Sequence, residues 1–167
     1  MPFIPLRSRV RTPLLATILI AGIGAGLSLS APAQASGTEV YASRCSMCHQ
    51  STGAGLPGQF PRLKGRAGEI ATSKAGREYL IKVMLFGMFG AIKVDGRAIN
   101  GMMPGMGSLK DADIADTLNH VVMLEKPKGK VAPFTAAEVK AVRDAGKLSS
   151  AQVAKQRAAL AAKGLIP

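Results

Sequence analysis

Apolar residues recur along this chain mostly at helical spacing, in runs separated by stretches too rich in glycine and proline to hold regular structure. Val40 and Tyr41, with Arg44 a turn later, predict a short helix over 38–48 with Thr38 as its N-cap. Gly53, Gly55, Pro57, Gly58 and Pro61 then predict a loop that wraps around something. Tyr79, Leu80, Val83, Met84 and Phe86 mark an amphipathic helix over about 73–89, stopped by Gly87 and Gly90. A second loop follows, set by Gly96, Gly101, Pro104, Gly105 and Gly107. The third helix runs from 110 or 111 to about 124. Asp111 and Asp113 stand at its positive end, and Ile114, Ala115, Leu118, Val121 and Val122 form its apolar face.

Beyond this helix the pattern weakens. Residues 127–134 are rich in lysine and proline and predict a linker. Thr135 with Glu138, and Ser149 with Gln152, are capping-box pairs that open two small helices over about 136–145 and 150–163. Each is too short to persist alone, so both must pack on the main domain, on each other or on a partner.

The N-terminal segment has a different logic. Arg7, Arg9 and Arg11 precede an apolar run from Leu14 to about Leu29, and Ala33-Gln34-Ala35 supplies a small-x-small end. This is the layout of a secretory signal, and we place cleavage after Ala35. The run is short and interrupted by Gly22, Gly24 and Gly26, which speaks against a membrane anchor; no other stretch is apolar enough to span a bilayer. The expected organisation is therefore a leader over 1–35, a main domain over 36–126, a linker over 127–134 and a helical extension over 135–167. The expected compartment is the periplasm.

Charge narrows the partners. Of 22 basic and ten acidic residues, the leader holds three basic and no acidic ones, leaving the exported chain at +9. Export and an aromatic content of 4% argue against nucleic acid, which needs stacking platforms. Docking on an acidic protein surface is the favoured use of this charge.

The decisive chemistry is Cys45-Ser46-Met47-Cys48-His49. C-x-x-C-H is the spacing at which two thiols bond covalently to a haem while the adjacent imidazole ligates its iron. A thioredoxin-like redox pair would ride on a βαβ pattern, and little strand-like alternation is present. A zinc site would need four ligands, and after these three only His120 remains among histidines and cysteines. A covalently held haem is an electron-transfer device by default.

An iron used this way needs a second axial ligand from a segment that reaches its distal face. His120 lies inside the third helix, where packing is its ordinary role, and Met84, Met88 and Met123 fit helix faces as core. Asn100-Gly101-Met102-Met103-Pro104-Gly105-Met106 remains, a glycine- and proline-shaped segment able to approach closely.

With these motifs the chain resembles the single-haem class I c-type cytochromes, the small bacterial cytochromes c, over roughly residues 37–125. The resemblance rests on Tyr41 four residues before Cys45, Pro61-Arg62-Leu63, Asn100-Gly101-Met102-Met103-Pro104, and the helix after Leu109. It implies an all-α fold of about three helices and irregular loops around one covalent haem c, followed by the helical extension. It makes Cys45 and Cys48 the thioether anchors, His49 the proximal ligand, and Met103, directly before proline, the distal ligand, with Met106 as the alternative sulfur. It also gives the Pro61 carbonyl the ring N–H of His49. Where the family often has an aromatic in the last helix, this chain has His120. The function implied is that of a periplasmic electron carrier between a donor dehydrogenase and a downstream acceptor, not an enzyme. The alternatives are a dedicated cytochrome subunit docked through the extension and, behind it, a haem enzyme or gas sensor.

Overall fold

A computed structural model describes Met1 and residues 36–167; the leader proposed over 1–35 lies almost wholly outside the described residues. From residue 36 onward the chain forms seven helices and one two-stranded sheet among the described residues.

The first helix, α1 (Gly37–Arg44), is capped by Ser36, which exchanges hydrogen bonds with Glu39 in a capping box. Thr38, expected as the cap, instead lies in the first turn, where its hydroxyl meets His120. The single helix expected over 38–48 is two: the backbone turns at Cys45, and a four-residue helix, α2 (Ser46–His49), carries the rest of the cysteine motif. A short α3 (Arg66–Ile70) follows the first loop, and α4 (Lys74–Phe86) is capped by Ser73. Further on, α5 (Asp111–Met123) closes the set of helices that the apolar pattern marks out.

α1 crosses α5 at close range. A Cβ on Gly37 would lie 2.0 Å from the Asp116 carbonyl oxygen and 2.8 Å from the Thr117 nitrogen, so only glycine fits. Beside this contact the Tyr41 ring packs on the His120 imidazole, with centroids 5.1 Å apart. His120 thus occupies the place of the aromatic residue usual in the last helix. Gly37→Ala is expected to cost about 1–3 kcal/mol through overpacking, seen as a lower denaturant midpoint at unchanged m-value.

The all-α expectation requires correction. The segment expected to be loop is an antiparallel hairpin, β1 (Met88–Val94) and β2 (Arg97–Met103), in the register Met88 to Met103, Ile92 to Ile99 and Val94 to Arg97. Asp95 and Gly96 form its two-residue turn with φ of 50° and 78°. Positive φ at both positions is what a type I′ turn needs, and its twist matches that of the strands. The helix expected to reach 89 therefore ends at Phe86, where Gly87, at φ 71°, turns the chain into β1.

The C-terminal extension folds back on the rest. Helix α6 (Ala136–Asp144) packs on α4 and α5, and α7 (Ser150–Ala162) packs on α4 and β1. Val139 and Val153 are fully buried, and Phe134 and Ile166 nearly so. The stretch expected as a linker is pinned at its end. Asn119 exchanges two hydrogen bonds with the Phe134 backbone, at 2.6 and 3.0 Å, and the Arg77 guanidinium lies 3.9 Å from the Phe134 ring centroid. Arg77 also pairs with Glu138 at 2.7 Å, so that carboxylate serves the ion pair while Thr135 caps α6 alone.

Candidate haem site

The helices and the hairpin leave a cleft of about 770 Å³, counting the part open to solvent, within the usual size of a small-molecule site. Cys45, Cys48, His49 and Pro61 line it together with Met102, Met103 and Met106; Ile92 and Ile99 of the hairpin add apolar wall. Residues distant in sequence thus converge where one flat apolar group could be held.

The cysteine side is built by α2. Cys45 is buried and Cys48 half-buried, and both thiols are free. Burial pushes the Cys45 thiol up, against the pull of Arg44. A catalytic redox thiol needs the opposite, a depressed pKa in an electropositive setting.

His49 is buried, with its Nδ1 3.0 Å from the Pro61 carbonyl oxygen. A carbonyl only accepts, so Nδ1 carries the proton and donates, leaving Nε2 as the ring's lone-pair nitrogen. Burial lowers the His49 pKa, partly countered by the bond to Pro61, so the neutral ring is favoured. A neutral imidazole of fixed tautomer is the form that ligates a metal.

The methionine side is built by β2. Strand side chains alternate, and Met102 and Met103 differ in burial: both border the cleft, but Met102 is 70% exposed, while Met103 is partly buried against the cores of the fold. Its register partner Met88 lies on the same wall, where its sulfur receives the Tyr79 hydroxyl at 3.5 Å. Met88 therefore belongs to a strand rather than to the helix face assigned to it. Met106 follows in the turn after Pro104, its N–H donating to the Met84 carbonyl at 2.6 Å. His120 stands apart, absent from the cleft walls and engaged with Thr38 at 3.2 Å. Met123 is 63% exposed and also outside the cleft.

Sequence reasoning passed over three contributors. Ile92 and Ile99 were hidden in a presumed loop, although Asp95-Gly96 between alternating apolar residues is the strongest short hairpin signal. Arg143 of α6 holds the segment after Met106. It donates to the Gly107 and Leu109 carbonyls at 2.7 and 3.0 Å and pairs with Asp111 at 2.8 Å. No local pattern announces such a long-range grip.

Comparison with known proteins agrees with this architecture. Residues 34–125 match the cytochrome c family. A cytochrome c-552 from one strain of Thermus thermophilus is 43% identical over 158 residues, covering 92% of this chain and all of the relative. That coverage leaves only about 13 residues unmatched, so most of the C-terminal extension is shared. A second cytochrome c-552 from Thermus thermophilus is 46% identical over 134 residues, 78% of this chain and the whole relative. With two free thiols, an oriented imidazole and a wall of methionine sulfur around one apolar cleft, the chain belongs to the cytochrome c family and carries covalently attached haem c for electron transfer.

Proposed function

We propose that the chain is a periplasmic single-electron carrier, in which Cys45 and Cys48 anchor the haem, His49 is the proximal ligand and Met103 the distal one. The observation that carries the ligand assignment is that Met103 borders both of the adjoining recesses that His49 borders, whereas Met102, 70% exposed, and Met106 border only the first. His/Met ligation and an apolar surround favour a comparatively positive potential, suited to accepting electrons from a dehydrogenase and passing them on. The protein's part is to fix the ligands and exclude water. Half-buried Cys48 and exposed Met47 support an electron port at the thioether edge of the haem.

A free carrier fits better than a subunit docked through its tail. Of the tail's apolar residues, Val139 and Val153 are fully buried, Val142, Leu148 and Leu160 pack against the cores of this fold, and Leu165 alone among its large apolar side chains is exposed, which leaves little apolar surface for a partner. A relative described as a cytochrome c-552 shares most of the extension. Among the described residues no helix is long and apolar enough to cross a membrane. The leader over 1–35 would deliver the chain to the compartment where c-type haem is attached.

The excess of basic residues supports steering toward an acidic redox partner. Electron-transfer rates with such a partner are expected to fall steeply as ionic strength rises and the Debye length shrinks to about 10 Å near 0.1 M. Rates flat with salt, together with a stable complex surviving gel filtration, would instead identify a dedicated subunit.

A further inference from the structure

The segment that runs from Met103 into α5 is held between two helices. The end of α4 supports one side so closely that a Cβ on Gly105 or on Gly107 would lie 2.9 Å from the Leu85 carbonyl oxygen, and one on Gly87 2.4 Å from that of Met103. The Met106 N–H adds its bond to the Met84 carbonyl. From the other side comes Arg143 of α6. Its Nη1 donates to the Gly107 carbonyl at 2.7 Å, its Nη2 to the Leu109 carbonyl at 3.0 Å and its Nε to Asp111 Oδ1 at 2.8 Å. One planar guanidinium thus joins the backbone just after Met106 to the first residue of α5.

A thioether is a neutral ligand, with no charge of its own to hold it on a metal. How often it leaves is then set by how often its segment opens, and local opening is governed by the contacts that the open state gives up. Bonds from a charged donor are the strong ones among these. Arg143 also lies outside the segment 34–125 that matches the family. A second clasp of the same make holds the start of α6: Arg77 of α4 pairs with Glu138 at 2.7 Å and donates to the Ala132 and Pro133 carbonyls at 2.7 and 3.1 Å. None of its bonds reaches residues 103–111.

We propose that Arg143 is a positioning residue for the iron's sixth ligand: its grip on residues 107–111 keeps the methionine segment shut, so that small molecules are denied the iron. The proposal rests on the reading above that Met103 supplies the sulfur. It gives α6 of the extension a part in the redox centre although no residue of α6 lines the cleft.

The test mixes the ferric, full-length holoprotein with excess cyanide, at a temperature well below the melting of every variant. Cyanide binds only where the sulfur has left, so the rate at saturating cyanide, followed by loss of the near-infrared methionine-to-iron band, reads the opening of the segment. Arg143→Gln is expected to raise this limiting rate at least about tenfold, the factor carried by one charge-assisted bond. Arg143→Lys should fall between, since an ammonium can replace one bond of the fork and not all three. Arg77→Gln, which loosens α6 without touching the segment, should stay at the wild-type rate. A wild-type rate in either Arg143 variant would overturn the proposal, and the lysine variant decides should the glutamine variant fail to hold haem. An equal rise in Arg77→Gln would also overturn it, by tracing the effect to undocking of α6. The band of the resting wild type separates the two readings: its absence overturns the ligand assignment, whereas its presence with unaltered rates overturns the role of Arg143 alone.

Discussion

Met103→Ala is expected to abolish the weak near-infrared methionine-to-iron band, open the iron to carbon monoxide, and lower the midpoint potential by tenths of a volt, within the ~0.8 V that axial ligation spans. The expectation follows from the hairpin. Met103 ends β2 on the cleft side, paired with Met88, and Pro104 stiffens the chain directly after it. Met88 cannot readily substitute, since its sulfur receives the Tyr79 hydroxyl. Met106→Ala should retain the band. The reverse pattern, with the band lost in Met106→Ala and kept in Met103→Ala, would assign the iron to the other sulfur. A native protein that already binds carbon monoxide at neutral pH would move the gas-sensor or enzyme reading ahead.

Truncation after Lys130 is the second large effect. Every proposed haem anchor and iron ligand lies upstream of the cut, so a count of ligands alone would predict an unchanged spectrum. The packing predicts otherwise. Removing Phe134, Val139, Val153 and Ile166 deletes four buried side chains, each worth about 1.5–3 kcal/mol. That loss is comparable with the ~5–15 kcal/mol that holds a typical domain together. The cut also frees Gly107, Leu109 and Asp111 from Arg143, loosening the segment that follows Met106. The truncated chain is expected to unfold far below the wild-type melting temperature, followed by far-ultraviolet circular dichroism, and to show a weakened methionine-to-iron band before it melts. Melting at the wild-type temperature would mean that α6 and α7 only decorate the domain.

The parts of this molecule that were legible in its sequence are those whose chemistry is local. Cys45, Cys48 and His49 announce themselves by spacing, and the faces of α4 and α5 by their 3.6-residue period. The two tail helices follow their capping residues, Thr135 and Ser149. The hairpin was obscured because Gly90 and Gly101 sit within its strands, and glycine there weakens the strand pattern that Ile92, Val94 and Ile99 otherwise carry. What sequence cannot carry is pairing at a distance. Arg66 and Arg157 both donate to an oxygen of Pro167, the last residue, although 91 residues separate the two arginines. Likewise, nothing in the local pattern of α5 says that the His120 ring will rest on Tyr41 of α1.

The tip of the hairpin has a bearing on how fast electrons move. Arg62 follows Pro61, whose carbonyl orients His49, and its guanidinium grips both carboxylate oxygens of Asp95 at 2.9 and 3.0 Å. The pair is half in solvent, so its thermodynamic contribution is small. Its geometry is another matter: it ties the backbone behind the proposed proximal ligand to the ribbon that ends in the proposed distal one. Such a brace limits how far imidazole and sulfur can drift apart as the iron alternates between charge states. With the ligands as proposed, the nuclear rearrangement that each transfer asks for is expected to be smaller than in a chain lacking this brace.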